Sequence, residues 1–184
     1  MPRCYLTDVK ILADNLTPYQ TEPVTADDVK LFLQLEGMAY DAALTAMIKA
    51  ARKKIEKYCN VSLVAKSILA SFRTVGLANM SLPFPPLHTM VKVEWKKCPT
   101  EWLELVADDD YSIENDASLE TEVVSSEIGL HRIQYTTYPI EDIEQYAQAI
   151  IIQAAAMYTH RDDATFEWSP AAKSMLDGSR LIGF

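Results

Sequence analysis

Apolar residues recur at helical spacing near both ends of this chain and at strand spacing through its middle. In the first helical stretch Val29, Phe32, Leu33 and Leu35 form a short stripe. Thr25 precedes it as an N-cap, with Asp28 three residues on in a capping-box arrangement. Asp27 and Asp28 suit the positive end of the helix dipole, and Gly37 is placed to end the helix in a left-handed conformation. A second helix is predicted over about 41–58. Its stripe is Tyr40, Leu44, Met47, Ile48, Ala51, Ile55 and Tyr58, at spacings of three and four. Asn60 follows as its stop. So short a connection favours antiparallel packing of the two helices.

The period changes after residue 60. Ile68, Ala70 and Phe72 alternate with more polar neighbours, and Val91, Val93 and Trp95 alternate with Lys92, Glu94 and Lys96, so both runs read as strands. Shorter strands are expected at 102–106, 111–113 and 130–135, with Asp108–Asp110 as a turn. Pro83, Pro85 and Pro86 exclude helix and mark a rigid extended lead into the strand at 91–95. Residues 114–128 are acidic, rich in Ser and Thr and poor in periodicity, which predicts a loop or flap.

Helix resumes after Pro139. Ile143, Tyr146, Ala147, Ile150, Ile151, Ala154, Met157 and Tyr158 make a broad apolar face on an element roughly 30 Å long at about 1.5 Å per residue. Ser169 then caps a last short helix, with Pro170 at its first position and Gly178 just past its end. The expected fold class is therefore mainly α. It is a small bundle of two N-terminal helices, one long and one short C-terminal helix, with a β-rich arm at about 61–136 between the second and third helices. The expected organisation is a lead-in at 1–22, a single domain at 23–178 and a tail at 179–184.

Composition adds constraints. About half of the 184 residues are apolar, enough for a real core. Cys4, Cys59 and Cys98 are odd in number and lack metal-ligand spacing, which suggests reduced thiols. The first fifteen residues lack the apolar run of a signal peptide, and the most apolar helix is interrupted by acids and glutamines, so a soluble, cytosolically made protein is expected. The formal charge of −9 is unevenly spread. Between Cys98 and His131 there are ten acids and no lysine or arginine, whereas Lys49, Arg52, Lys53, Lys54 and Lys57 cluster on the second helix. The acidic total disfavours general binding to nucleic acid. The separation of sign permits head-to-tail contacts between copies, with the lysine-rich helix meeting Asp108, Asp109 and Asp110 of a neighbour. A solvated face or a DNA contact are the other roles open to the same lysines.

Candidate chemistry is thin. The Asp108–Asp110 run lacks calcium-loop spacing. His88, His131 and His160 are scattered, so no metal site is expected. His160-Arg161-Asp162 resembles a kinase triplet without its downstream Asn or glycine-rich loop. No phosphate-cradling loop or nucleophile elbow is present, and neither a cofactor nor catalysis is expected. The tail Arg180, Leu181, Ile182 and Phe184 could fold back on its own domain or insert into a partner's groove.

The ordered set of segments resembles one known family. Pro23-Val24-Thr25 with Asp28-Val29-Lys30 and Phe32-Leu33, then Ile48-x-Ala50-Ala51-Arg52-x-x-Ile55-Glu56-x-Tyr58, then Leu82-Pro83-x-x-Pro86-Leu87, then Met157 to Arg161, then Ser169 to Leu176, resemble the head–tail connector (adaptor, head-completion) proteins of tailed bacteriophages. The resemblance spans most of residues 22–180. It departs at Leu176-Asp177-Gly178-Ser179-Arg180, where the family has a Leu-x-Pro-Tyr-Arg-like turn, and in the excess of acids at 101–127. It implies a structural virion protein at the neck. Roughly a dozen copies would form a ring below the portal and extend the DNA channel toward the tail. The implied partners are its own copies, the portal, the next neck or tail protein, and DNA that passes without sequence-specific binding. Arg180, Leu181, Ile182 and Phe184 would then dock on the portal. A dozen chains at −9 each carry roughly −108, a strongly negative collar. A stopper or tail-completion protein is the alternative within the same class, and a small helical DNA-binding regulator the alternative outside it.

Overall fold

A computed structural model describes residues 3–14, 22–76, 78–115, 121–163 and 165–179. The contacts between them divide the chain into two units, one mostly β and one α. The mainly α expectation is overturned, because strand (about 37%) exceeds helix (about 33%) and the strands form two antiparallel sheets.

The β unit holds β1 (Arg3–Asp14), β2 (Lys66–Val75), β3 (Ala78–Ser81), β4 (Leu87–Cys98), β5 (Glu101–Glu104), β6 (Tyr111–Asn115), β7 (Thr121–Ser125) and β8 (Gly129–Thr137). Five strands form one sheet in the order β1-β2-β8-β4-β5, and three form another in the order β3-β7-β6. Register puts Val9, Ala70, Ile133 and Val93 in one row across four strands, with Leu6, Phe72, His131 and Trp95 in the next. From these rows Ala70, Phe72, Ile133 and Val93 enter a core completed by Met80, Leu82, Leu105 and Val123, so the two sheets share one apolar interior. Tyr135 is fully buried there, its hydroxyl donating to the Pro83 carbonyl at 2.5 Å. Burial holds that phenol protonated far above the usual tyrosine range.

Two features explain why strand content exceeds expectation. Residues 3–14, read as a lead-in, form a twelve-residue strand paired along β2. Residues 121–125, read as part of a loop, form β7, whose inward residues are Thr121, Val123 and Ser125. Two of those three are polar, so no apolar alternation announces the strand. The run at 91–95 is a strand, but its alternation is broken. The register shifts between Met90 and Lys92, and Val91 is about half exposed. An extra residue at a bulge lies outside the pleat's two-residue period.

The α unit holds α1 (Ala26–Leu33), α2 (Asp41–Cys59), α3 (Glu144–Thr159) and α4 (Pro170–Leu176), followed by a 3-10 turn at Asp177–Ser179. The capping box forms as expected. The Thr25 hydroxyl accepts from the Asp28 amide at 3.3 Å, and the Thr25 amide donates to the Asp28 carboxylate at 2.8 Å. The stop comes earlier than Gly37. Gln34 takes the left-handed conformation at φ 56, and Gly37, at φ 83, bends the following loop. Asn60 ends α2 with φ 56, as expected. α3 packs along α2 and also meets α1 and α4. Leu44, Ile48, Ala51, Ile55 and Cys59 of α2 and Tyr146, Ala149, Ile150, Ala154 and Ala155 of α3 are buried. Each large apolar side chain so buried contributes about 1.5–3 kcal/mol. The Gln153 side chain fixes the approach to α4. It donates to the Glu167 carbonyl at 3.2 Å and accepts from the Ser169 amide at 2.9 Å.

Candidate assembly surfaces

The α2 cations do not form one surface. Arg52 is 1% exposed and points inward. Its guanidinium grips Glu22 with Nε at 2.7 Å and a second nitrogen at 3.2 Å, and donates to Glu56 at 2.8 Å. Glu56 is also buried, and its other oxygen accepts from the Leu63 amide at 2.9 Å. The Arg-x-x-Ile-Glu part of the resemblance is thus a one-turn ion pair that ties residues on both sides of α2 to the helix. Lys54 is half-buried. Its ammonium donates to the Glu167 carbonyl and lies 4.9 Å from the Trp168 ring centre. Trp168 also packs on Tyr58 at 5.2 Å, and the Tyr58 hydroxyl reaches Asp177. Lys49, Lys53 and Lys57 are exposed on α2.

The acids predicted to face them sit on a tight corner between β5 and β6. The Val106 amide donates to the Asp110 carboxylate at 2.8 Å, and the Asp110 amide returns to the Val106 carbonyl at 2.9 Å. Asp108 adopts φ 67, and its amide donates to the Tyr111 carbonyl at 2.9 Å. Asp110 is therefore spent on the corner itself, while Asp108 and Asp109 present exposed carboxylates. Arg180, Leu181, Ile182 and Phe184 lie outside the described residues.

Sequence reading missed a third surface. An open groove of about 490 Å³ runs where the ends of β2 and β4 meet the start of β8. Its charged lining residues are Arg73, Lys96 and Lys97, and its apolar walls include Val75, Pro99 and Leu130. The nearest sequence signal is the Lys96-Lys97 pair at the end of a strand. Arg73 lies twenty-odd residues earlier and joins them only through sheet order. Gly129, also lining the groove, has φ 133, and an added Cβ would meet the Trp95 indole nitrogen at 3.4 Å.

Other chemistry is absent among the described residues. No three His, Cys, Asp or Glu side chains converge as metal ligands, and no helix is long and apolar enough to cross a membrane. His160 stacks on Phe166 at 4.7 Å, and the Arg161 guanidinium lies 5.1 Å from the Tyr158 ring centre. These two contacts close the end of α3.

Residues 24–86 match the family described as phage gp6-like head-tail connector protein. This chain is similar to the phage head–tail connectors. The matched segment contains α1, α2, β2, β3 and the Pro83–Pro86 turn, so it includes the Arg52–Glu56 pair and the Thr25 box. No protein of curated function matches the sequence. The fold recurs, however, in a chain from the neck of an empty gene transfer agent (GTA) particle computed with C6 symmetry. The TM-score is 0.70 at 16% identity, over 97% of each chain. A chain of the native GTA virion gives 0.68 at 16%, and one from the native GTA neck computed with C12 symmetry gives 0.64 at 15%, both again over 97% of each chain. At such identities the likeness is one of fold.

Proposed function

We propose that this protein is a non-enzymatic structural component of a virion neck, an adaptor whose copies form a ring below the portal and extend the DNA channel toward the tail. The observation that carries this reading is the extent of the shared fold. Both the β unit and the α unit are included when 97% of the chain superposes on 97% of a neck chain. The match of residues 24–86 to the connector family supports it independently. A ring of about a dozen copies is built from heterologous contacts that close on themselves, so each copy must carry two different, complementary surfaces. The net charge of −9 suits a collar that lets DNA slide without gripping phosphate. In this reading Arg180, Leu181, Ile182 and Phe184 dock on the portal.

Electron microscopy of the purified protein mixed with its portal tests the proposal. Rings of about a dozen copies stacked coaxially on the portal are expected. Removing residues 180–184 should abolish that docking while the thermal unfolding of the free protein is unchanged. A chain that remains a lone monomer beside the portal, or is found singly in the mature particle, rules the reading out.

A further inference from the structure

The groove lined by Arg73, Lys96 and Lys97 has no carboxylate among its lining residues, in a chain whose total charge is −9. Its cations therefore lack an acidic partner within the groove; the Lys96 ammonium lies 5.6 Å from the Trp102 ring centre, so Arg73 and Lys97 are the cations best placed to receive carboxylates. Its rim is also apolar, since Val75 is 58% exposed there. The corner at 106–110 has the opposite properties. It is fixed by three hydrogen bonds and carries two exposed carboxylates, Asp108 and Asp109, beside a Val106 that is likewise 58% exposed.

The two features lie at opposite ends of β5. In the β4–β5 hairpin Cys98 pairs with Glu101 at the groove end, and Glu94 pairs with Glu104 at the corner end. At about 3.4 Å per residue the strand alone separates them by roughly 10 Å. A copy cannot fill its own groove with its own corner. A second copy, presented head to tail, can.

We infer that the Val106–Asp110 corner of one copy seats in the Arg73–Lys96–Lys97 groove of the next, with Asp108 and Asp109 against the cations and Val106 against Val75, Pro99 and Leu130. This rests on the ring reading and supplies the complementary pair of surfaces that a heterologous ring requires. It also moves the acceptor for these acids away from α2. There Arg52 is committed to Glu22 and Glu56 and Lys54 to Glu167 and Trp168, while Lys49, Lys53 and Lys57 are exposed; the hollow beside Lys57 is lined by Lys54, Tyr58 and Trp168, which already engage one another. Opposed charge on two facing surfaces sets register and suppresses wrong docking, and an apolar centre adds burial.

The test uses the full-length chain in three forms: Arg73→Glu with Lys97→Glu, Asp108→Lys with Asp109→Lys, and all four together. All four positions are exposed, so thermal unfolding should match the parent apart from a small loss from Asp108→Lys, since Asp108 has φ 67, a left-handed conformation that lysine adopts less readily than aspartate. Ring formation is followed by sedimentation velocity and electron microscopy, alone and with the portal. Each double variant should weaken assembly at least roughly tenfold, and the four-fold charge exchange should restore most of it. If parent and groove variant form rings equally well, the corner-in-groove contact is wrong and the ring reading survives. If the parent forms no ring even with the portal, the ring reading falls and this contact with it. If the groove variant assembles normally but loses affinity for duplex DNA, the occupant is a phosphate backbone and the inference is overturned.

Discussion

Arg52 shows how far a single residue can mislead and then inform. By composition it belongs to a lysine-rich surface, yet its position in the helical stripe gives the opposite answer. It follows Ala51 and lies four residues after Ile48, on the edge of the buried face. Glu56 lies one turn further along the same edge, and Glu22 closes the pair from outside the helix. Removing the cation leaves Glu56 buried and uncompensated. Arg52→Ala should therefore lower stability by about 3–5 kcal/mol, read as a drop in the urea midpoint, while Lys53→Ala on the exposed side should cost less than about 0.5 kcal/mol. Equal effects from the two substitutions would mean that the buried pair is not holding the helix. His131 makes a second case. It is fully buried on β8, opposite Phe72 and Trp95, and burial pushes its imidazole below the usual histidine range against a smaller pull from the Gly129 backbone. Below about pH 6.5 the unfolded chain takes up a proton that the folded chain refuses, so stability is full above that value and falls as pH drops toward the lowered folded value. The slope cannot exceed about 1.4 kcal/mol per pH unit for one group. Denaturant titrations at about pH 7.5 and about pH 5.5 should show His131→Leu losing less stability on acidification than the parent. Parallel losses in both proteins would remove His131 from the account.

At the scale of elements, legibility follows where the apolar residues are. The helices declare themselves because most of their buried positions are Leu, Ile, Val and Ala at spacings of three and four, with Arg52, Glu56 and Gln153 the polar exceptions. Their starts are signalled too, as at Thr25-x-x-Asp28 and Ser169-Pro170. The strands hide because this sandwich buries polar side chains. Lys66, Thr74, Thr121, Ser125, His131 and Thr137 all face inward. Several are satisfied by backbone groups, as when the Thr74 hydroxyl accepts from the Gly129 amide at 3.1 Å and the Thr137 hydroxyl from the Lys66 amide at 3.3 Å. A period-two search for apolar residues passes over such strands. β1 is obscured for a different reason. Its register shifts between Leu6 and Asp8 and again between Ile11 and Ala13, so its inward residues fall out of phase twice in twelve positions. Of the proposed surfaces, the acidic corner is visible in sequence because Asp108–Asp110 is contiguous. The groove is not, because Arg73 and Lys96 approach only once β8 has paired with both β2 and β4. The resemblance to connectors is legible because it rests on helical segments and the proline turn; those from Pro23 to Leu87 fall in or beside the region that the family match covers, whereas Met157–Arg161 and Ser169–Leu176 lie outside it.

For the whole molecule, two electrostatic effects of opposite sign act on assembly, and their ranges differ. Each copy carries −9, so bringing roughly a dozen together is opposed by repulsion between charges spread over tens of ångströms. The proposed corner-in-groove contact opposes that with a few carboxylate–cation pairs a few ångströms apart. Salt screens the longer-range effect first. At about 0.01 M the Debye length is about 30 Å and repulsion reaches across neighbouring copies; at about 0.15 M it is about 8 Å and only near contacts are felt; at about 1 M it is about 3 Å and the contacts themselves weaken. Ring formation should therefore rise with added salt, pass through a maximum near physiological ionic strength, and decline toward about 1 M. The Arg73→Glu, Lys97→Glu protein lacks the short-range attraction, so for it the declining limb should disappear. Sedimentation velocity across a sodium chloride series reads both curves. A parent protein whose assembly climbs steadily to the highest salt would show that apolar burial alone closes the ring and that charge contributes only repulsion.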